Sequence, residues 1–95
     1  MKKYYISYYR DFGNTYYLYW AETPEQIAAL PENAKQITRR EAERKCAEEK
    51  AARKQNPSFS GFASAVILPA DYSGEEDWRD DPKRYRLNGC IVERI

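Results

Sequence analysis

Seven of the chain's nine tyrosines fall within its first twenty residues, in two alternating segments, 3–10 and 15–21. Period-two alternation of large side chains is the signature of a strand, because successive side chains leave opposite faces. The two segments therefore read as a β-hairpin with aromatics on both faces. On the first, Tyr4, Ile6 and Tyr8 are even and Tyr5, Ser7 and Tyr9 are odd; on the second, Tyr16, Leu18 and Trp20 are even and Tyr17 and Tyr19 are odd. Ile6, Leu18 and Trp20 have least use for water and belong on one face. Directly opposed residues share a face, so even must pair with even, which demands an odd loop length. The simplest is Phe12-Gly13-Asn14, with five residues as the alternative, since asparagine tolerates the left-handed position that ends a three-residue loop. The odd set Tyr5, Tyr9, Tyr17 and Tyr19 then lies opposite the core face.

The remainder of the chain reads as material that covers this hairpin. Thr23-Pro24-Glu25-Gln26 has the grammar of a helix start, with threonine as N-cap, proline in the first turn and glutamine reaching back. Pro31 stops that helix after Leu30, and Ile27 and Leu30 are expected to pin it to the domain. Lys35–Ile37 reads as a short extended edge. Thr38-Arg39-Arg40-Glu41 is a second capping box, and Arg39–Gln55 holds only good helix formers, with neither glycine, proline nor a β-branched residue. Pairs such as Glu41/Lys45, Arg44/Glu48, Lys45/Glu49 and Glu49/Arg53 stand at i,i+4 and support it. Its apolar side is built from small residues, Ala42 and Cys46, with Ala47 and Ala51 nearly opposite. Such a helix supplies no bulk, but it can lie close against a surface that does.

Residues 59–68 are apolar or small at nearly every position, as expected of a strand buried in the middle of a sheet, and Pro69 closes it. Residues 70–83 form a long acidic loop. Arg84-Tyr85-Arg86-Leu87, Asn88-Gly89, Cys90-Ile91-Val92-Glu93 is a two-residue hairpin, Asn-Gly being a favoured type I′ turn. This predicts the pairs Leu87/Cys90, Arg86/Ile91, Tyr85/Val92 and Arg84/Glu93, with Tyr85, Leu87, Cys90 and Val92 facing inward. The expected fold is one α+β domain spanning residues 1–95. Its antiparallel sheet combines the N-terminal hairpin, the central strand and the C-terminal hairpin, with one main helix packed on one face.

Composition excludes several chemistries. The chain has no histidine, which removes Ser–His and Cys–His nucleophilic catalysis and the usual zinc sites. Cys46 and Cys90 form no C-x-x-C pair, and no third cysteine accompanies them. They read as small core residues of a reduced, cytoplasmic protein. Met1-Lys2-Lys3-Tyr4 runs into the first strand without the apolar core of a signal peptide, and no apolar run is long enough to span a membrane. Sixteen basic against fifteen acidic residues give a net charge of +1, whereas general nucleic-acid or membrane binders carry a basic excess. There is no P-loop, no G-x-G-x-x-G and no G-x-S-x-G. The adjacent carboxylates Glu75 and Glu76 lie in a loop rather than in a preorganised pair. The reading is a non-enzyme with neither cofactor nor metal.

Three features are candidates for binding. The odd tyrosines Tyr5, Tyr9, Tyr17 and Tyr19 offer large rigid contact area with hydroxyls at low entropic cost, though tyrosine is also simply a good strand former. The acidic loop, with Asp77, Asp80 and Asp81 around Trp78, could meet a basic partner surface; its spacing is not that of a calcium loop. The cationic side chains of the main helix are interleaved with glutamates and read as a solvated face. The preferred function is protein–protein binding through the tyrosine face and the Trp78 loop. The general character of such a chain fits an inhibitor of a host nuclease of the type carried by phages or mobile elements. The alternative is single-stranded nucleic-acid binding by base stacking on the same tyrosines, beside Lys2, Lys3 and Arg10. An open sheet edge and an aromatic face also invite a second copy of the chain.

Overall fold

The computed structural model describes residues 1–8, 16–55, 66–72 and 78–95. In chain order the elements are β1 (Lys3–Tyr8), β2 (Tyr16–Ala21), α1 (Pro24–Ala28), β3 (Lys35–Ile37), α2 (Arg39–Gln55), β4 (Ile67–Pro69), a 3-10 turn at Trp78–Asp80, β5 (Tyr85–Asn88) and β6 (Ile91–Arg94). The α+β class is as expected. The sheet is not purely antiparallel. Its order is β3-β1-β2-β4-β6-β5, and β4 runs parallel to both neighbours while the other pairs are antiparallel. The central strand expected over 59–68 lies mostly outside the described residues. What is described, Ile67–Pro69, includes the proline that was expected to end it.

The N-terminal hairpin pairs even with even: Tyr4 opposes Trp20, Ile6 opposes Leu18 and Tyr8 opposes Tyr16. A three-residue loop at 12–14 would instead have set Tyr8 against Leu18, so the register differs by two while the parity is as predicted. The loop itself lies outside the described residues. Tyr4, Ile6, Leu18 and Trp20 are buried together with Ala42 and Cys46 of α2, Ile67 and Ile91. Ala42 and Cys46 are fully buried, whereas Ala47 and Ala51 are exposed. The small side chains let α2 lie close to the aromatic strands. The helix begins where its sequence says: the Thr38 hydroxyl accepts from Glu41 N–H at 3.1 Å. Arg39–Glu43 at 2.8 Å and Arg44–Glu48 at 4.0 Å run along its solvent side. Lys45 instead places its ammonium over the Tyr16 ring, 5.3 Å from the centroid, and its carbonyl accepts from the Tyr16 hydroxyl at 3.2 Å.

The α1 capping box is complete, with the Thr23 side chain and Gln26 exchanging bonds. Anchorage differs from expectation. Ile27 is 42% exposed and Leu30 half-buried, while the buried residue is Gln26. Its amide oxygen is committed to the Glu22 and Thr23 N–H groups at 2.7 and 3.2 Å, which fixes the side chain beneath the turn.

The C-terminal hairpin is also shifted. Asn88 pairs with Ile91, Leu87 with Val92, Arg86 with Glu93 and Tyr85 with Arg94, so the turn residues are Gly89 and Cys90. Gly89 has φ 63°, and it is the only described residue at positive φ. A glycine at the first central position, followed by a residue at negative φ, is the pattern of a type II′ turn rather than I′. Leu87 is 47% exposed rather than inward, and Ile91 and Val92 are both buried. The reason is position: β6 lies between β4 and β5 and is covered on both faces, while β5 is the sheet edge. Alternation therefore loses its meaning on β6.

Candidate functional site

The face opposite α2 is read off the registers. Tyr5 opposes Tyr19, Ser7 opposes Tyr17, Gln36 opposes Tyr5 and Leu68 opposes Tyr19. Gln36, Tyr5, Tyr19 and Leu68 therefore form one row across four strands, with Tyr17 one step along. Tyr5, Tyr17 and Tyr19 are each half-buried, and the Tyr17 and Tyr19 rings stand 6.3 Å apart at 39°. Tyr9, the fourth member of the expected set, lies outside the described residues. Ser7 at the margin is buried; its hydroxyl donates to Asn33 Oδ1 at 2.7 Å, and the Asn33 amide donates to the Tyr8 carbonyl at 2.7 Å.

Farther across the sheet the same face is closed. Ala21 and Val92 are fully buried there. The Tyr72 ring meets Tyr85 edge-on at 5.8 Å, and Arg94 Nη1 donates to Asp71 Oδ1 at 2.6 Å. Burial pushes the Asp71 carboxyl up, but hydrogen bonds from Arg94 and Gln26, with the Arg94 charge, outweigh it and hold the carboxyl below its ordinary range. Gln26 and Asp71 thus join α1 to the last strand. Sequence reasoning did not reach this network, because its members lie on separate elements and carry no spacing signal.

The Trp78 group sits beside β5, with β6 and β4 between it and the tyrosine strands, roughly 14 Å in strand spacings. Trp78 is half-buried and its backbone N–H donates to the Tyr72 hydroxyl at 3.1 Å. Asp80 is exposed. Asp81 is half-buried and anchors the entry to β5: its carbonyl accepts from Arg84 and Tyr85 N–H at 3.2 and 3.1 Å, and its carboxylate lies 3.5 Å from Arg84. Asp77 lies outside the described residues. The segment expected as plain loop therefore contains a 3-10 turn that fixes two of the acids relative to the sheet edge.

Among the cations proposed to flank the tyrosines, Lys2 is engaged, 3.8 Å from Glu22 and 5.0 Å above the Trp20 ring. Arg10 is outside the described residues. On the helix side, burial above all raises the Tyr16 phenol far beyond its ordinary range, and burial raises that of Tyr4 too. Both hydroxyls stay protonated, and that of Tyr16 is spent on the Lys45 carbonyl. Among the described residues, no group of three acidic, cysteine or histidine side chains converges as a metal set, and every buried side-chain nitrogen and oxygen has a partner. No described helix is long and apolar enough to cross a membrane. What the tyrosine row offers chemically is ring area with hydroxyl donors and acceptors: non-covalent recognition. Comparison with family models, curated proteins and solved structures finds no match to this chain.

Proposed function

We propose that this chain is a small non-enzymatic protein-binding domain. Its main contact surface is the Tyr5, Tyr17 and Tyr19 face, and the Trp78, Asp80 and Asp81 turn is a second contact zone. The observation that carries the reading is the register: Tyr5 directly opposes Tyr19, beside Tyr17, on the face away from α2. Half-buried tyrosines held by strands lose little entropy on contact and present both ring and hydroxyl. The spacing of the two zones falls within the footprint of one standard interface, about 800 Å² per partner.

The test is affinity capture with the wild type, with Tyr5→Ser/Tyr17→Ser/Tyr19→Ser, and with Arg40→Ser/Lys50→Ser on the exposed side of α2. Circular dichroism confirms that each is folded. A partner retained by the wild type and the helix variant, and lost at least tenfold by the tyrosine variant, supports the proposal. Equal retention by all three removes it. Size-exclusion chromatography of the chain alone separates self-association from capture of another protein. Assays against purified nucleases address the narrower inhibitor reading. Fluorescence anisotropy with single-stranded oligonucleotides at low salt addresses base stacking, whose affinity must fall steeply as salt is added.

A further inference from the structure

The two thiols, far apart in sequence, meet in the fold. Cys46 is fully buried on the core side of α2, and Cys90 occupies the β5–β6 turn, packs against the same cluster and keeps partial solvent access. Cys90 is the neighbouring group that acts most strongly on the Cys46 thiol. They stand as free thiols. We propose that Cys46 and Cys90 are a redox pair that closes to an intramolecular disulfide when the protein meets a hydroperoxide, stapling α2 to the β5–β6 turn.

The asymmetry of the pair sets the order of events. Burial first, then the neighbouring Cys90, pushes the Cys46 thiol up to about 12, so it rests protonated and shielded. Cys90, which solvent can reach, is the sulfur that meets oxidant. Its sulfur attacks the peroxide: the O–O bond breaks, an S–O bond forms, and the alcohol (or water, from hydrogen peroxide) leaves as the reduced product. The Cys46 sulfur then attacks the Cys90 sulfenic acid. An S–S bond forms, the S–O bond breaks, and hydroxide departs as water with the Cys46 proton. Two thiols and one hydroperoxide thus give one disulfide, one alcohol and one water. The turn can follow, because Gly89 at φ 63° has open space where a side chain would be. Reduction by a dithiol reverses the step through a mixed disulfide.

A staple between these positions closes a long loop and fastens a helix that otherwise holds to the sheet by small residues, so it raises Tm by on the order of ten degrees. The experiment treats the reduced full chain with one equivalent of hydrogen peroxide, alkylates with iodoacetamide under denaturing conditions and reads intact mass. The expected product is about two mass units lighter, takes up no alkyl group, yields a peptide linking positions 46 and 90, runs as a monomer and reverts with dithiothreitol. Accumulation of Cys90 sulfinic acid with an alkylated Cys46 overturns the proposal, as do intermolecular dimers as the sole disulfide product. Cys90→Ser, a change in the turn rather than the core, must leave Cys46 unoxidised under the same conditions; oxidation of Cys46 at the wild-type rate refutes the order given.

Discussion

The indole Nε1–H of Trp20 donates to the Val92 carbonyl at 2.8 Å, across the intervening strand β4. The reason lies in the ladder. Ile67 N–H donates to the Cys90 carbonyl at 2.7 Å, so the next donor from β4 toward Val92 would be the N–H of residue 69. That residue is proline and has none. Trp20, whose ladder partner is Pro69, supplies the missing bond from its side chain. Trp20→Phe should therefore destabilise by about 2–4 kcal/mol, combining lost packing with an orphaned buried carbonyl. Adding Pro69→Ala to that variant restores a backbone donor and should recover about 1 kcal/mol, whereas Pro69→Ala alone recovers nothing. A urea-denaturation double-mutant cycle reads the difference; additivity of the two changes contradicts the explanation.

The helix starts were legible because their signals are written locally, although α1 ends at Ala28, two residues before the expected Leu30. Thr38 caps, Glu41 follows three residues later, and nothing interrupts the helix-forming run up to Gln55. The face assignment of Ile6, Leu18 and Trp20 was legible for a similar reason, since parity alone decides it. What eluded sequence was pairing between distant strands. Nothing in Ile67-Leu68-Pro69 states that its neighbours run parallel to it, and the double burial of Ile91 and Val92 comes from their central position. The tyrosine set was found by parity; the closure of the same face farther across the sheet by Gln26, Asp71, Tyr72 and Arg94 depends on elements meeting in space.

The β5–β6 turn makes a second prediction. Gly89 adopts φ 63° with nothing near its missing Cβ, so substitution there meets backbone strain and no steric clash. Gly89→Ala should lower stability by roughly 1 kcal/mol, and Gly89→Asn by clearly less, because asparagine tolerates the left-handed region. Thermal unfolding of the two variants side by side checks this. Equal losses would mean that the turn has moved to place another residue at positive φ.

The closeness of α2 to the sheet is tested by size alone. Ala42 is fully buried while Ala47 is exposed on the same helix. Ala42→Leu should cost about 1–3 kcal/mol through overpacking, and Ala47→Leu should stay within about 0.5 kcal/mol of the wild type. Urea midpoints discriminate them. A neutral Ala42→Leu would show slack between helix and strands.

The Asp71–Arg94 pair gives the chain an acid-sensitive contact. The carboxyl is held below its ordinary range in the folded protein, since the Arg94 bonds and charge outweigh burial. A depressed folded value means that the contact stabilises above the unfolded value, near pH 4, and that this stability is lost as pH falls through the folded value. Glu93 acts in the same direction, held down first by the Asn88 amide and then by Arg86. Both side chains of the Asp71–Arg94 pair are more than a third exposed, so screening keeps its share below about 1 kcal/mol. Asp71→Asn should therefore be slightly less stable than the wild type at pH 7 and should close that gap as pH falls from 5 to 2. Urea midpoints across that range, repeated at high salt to shrink the difference, are the measurement. A gap that stays constant down to pH 2 would show that Asp71 contributes through packing and not through its charge.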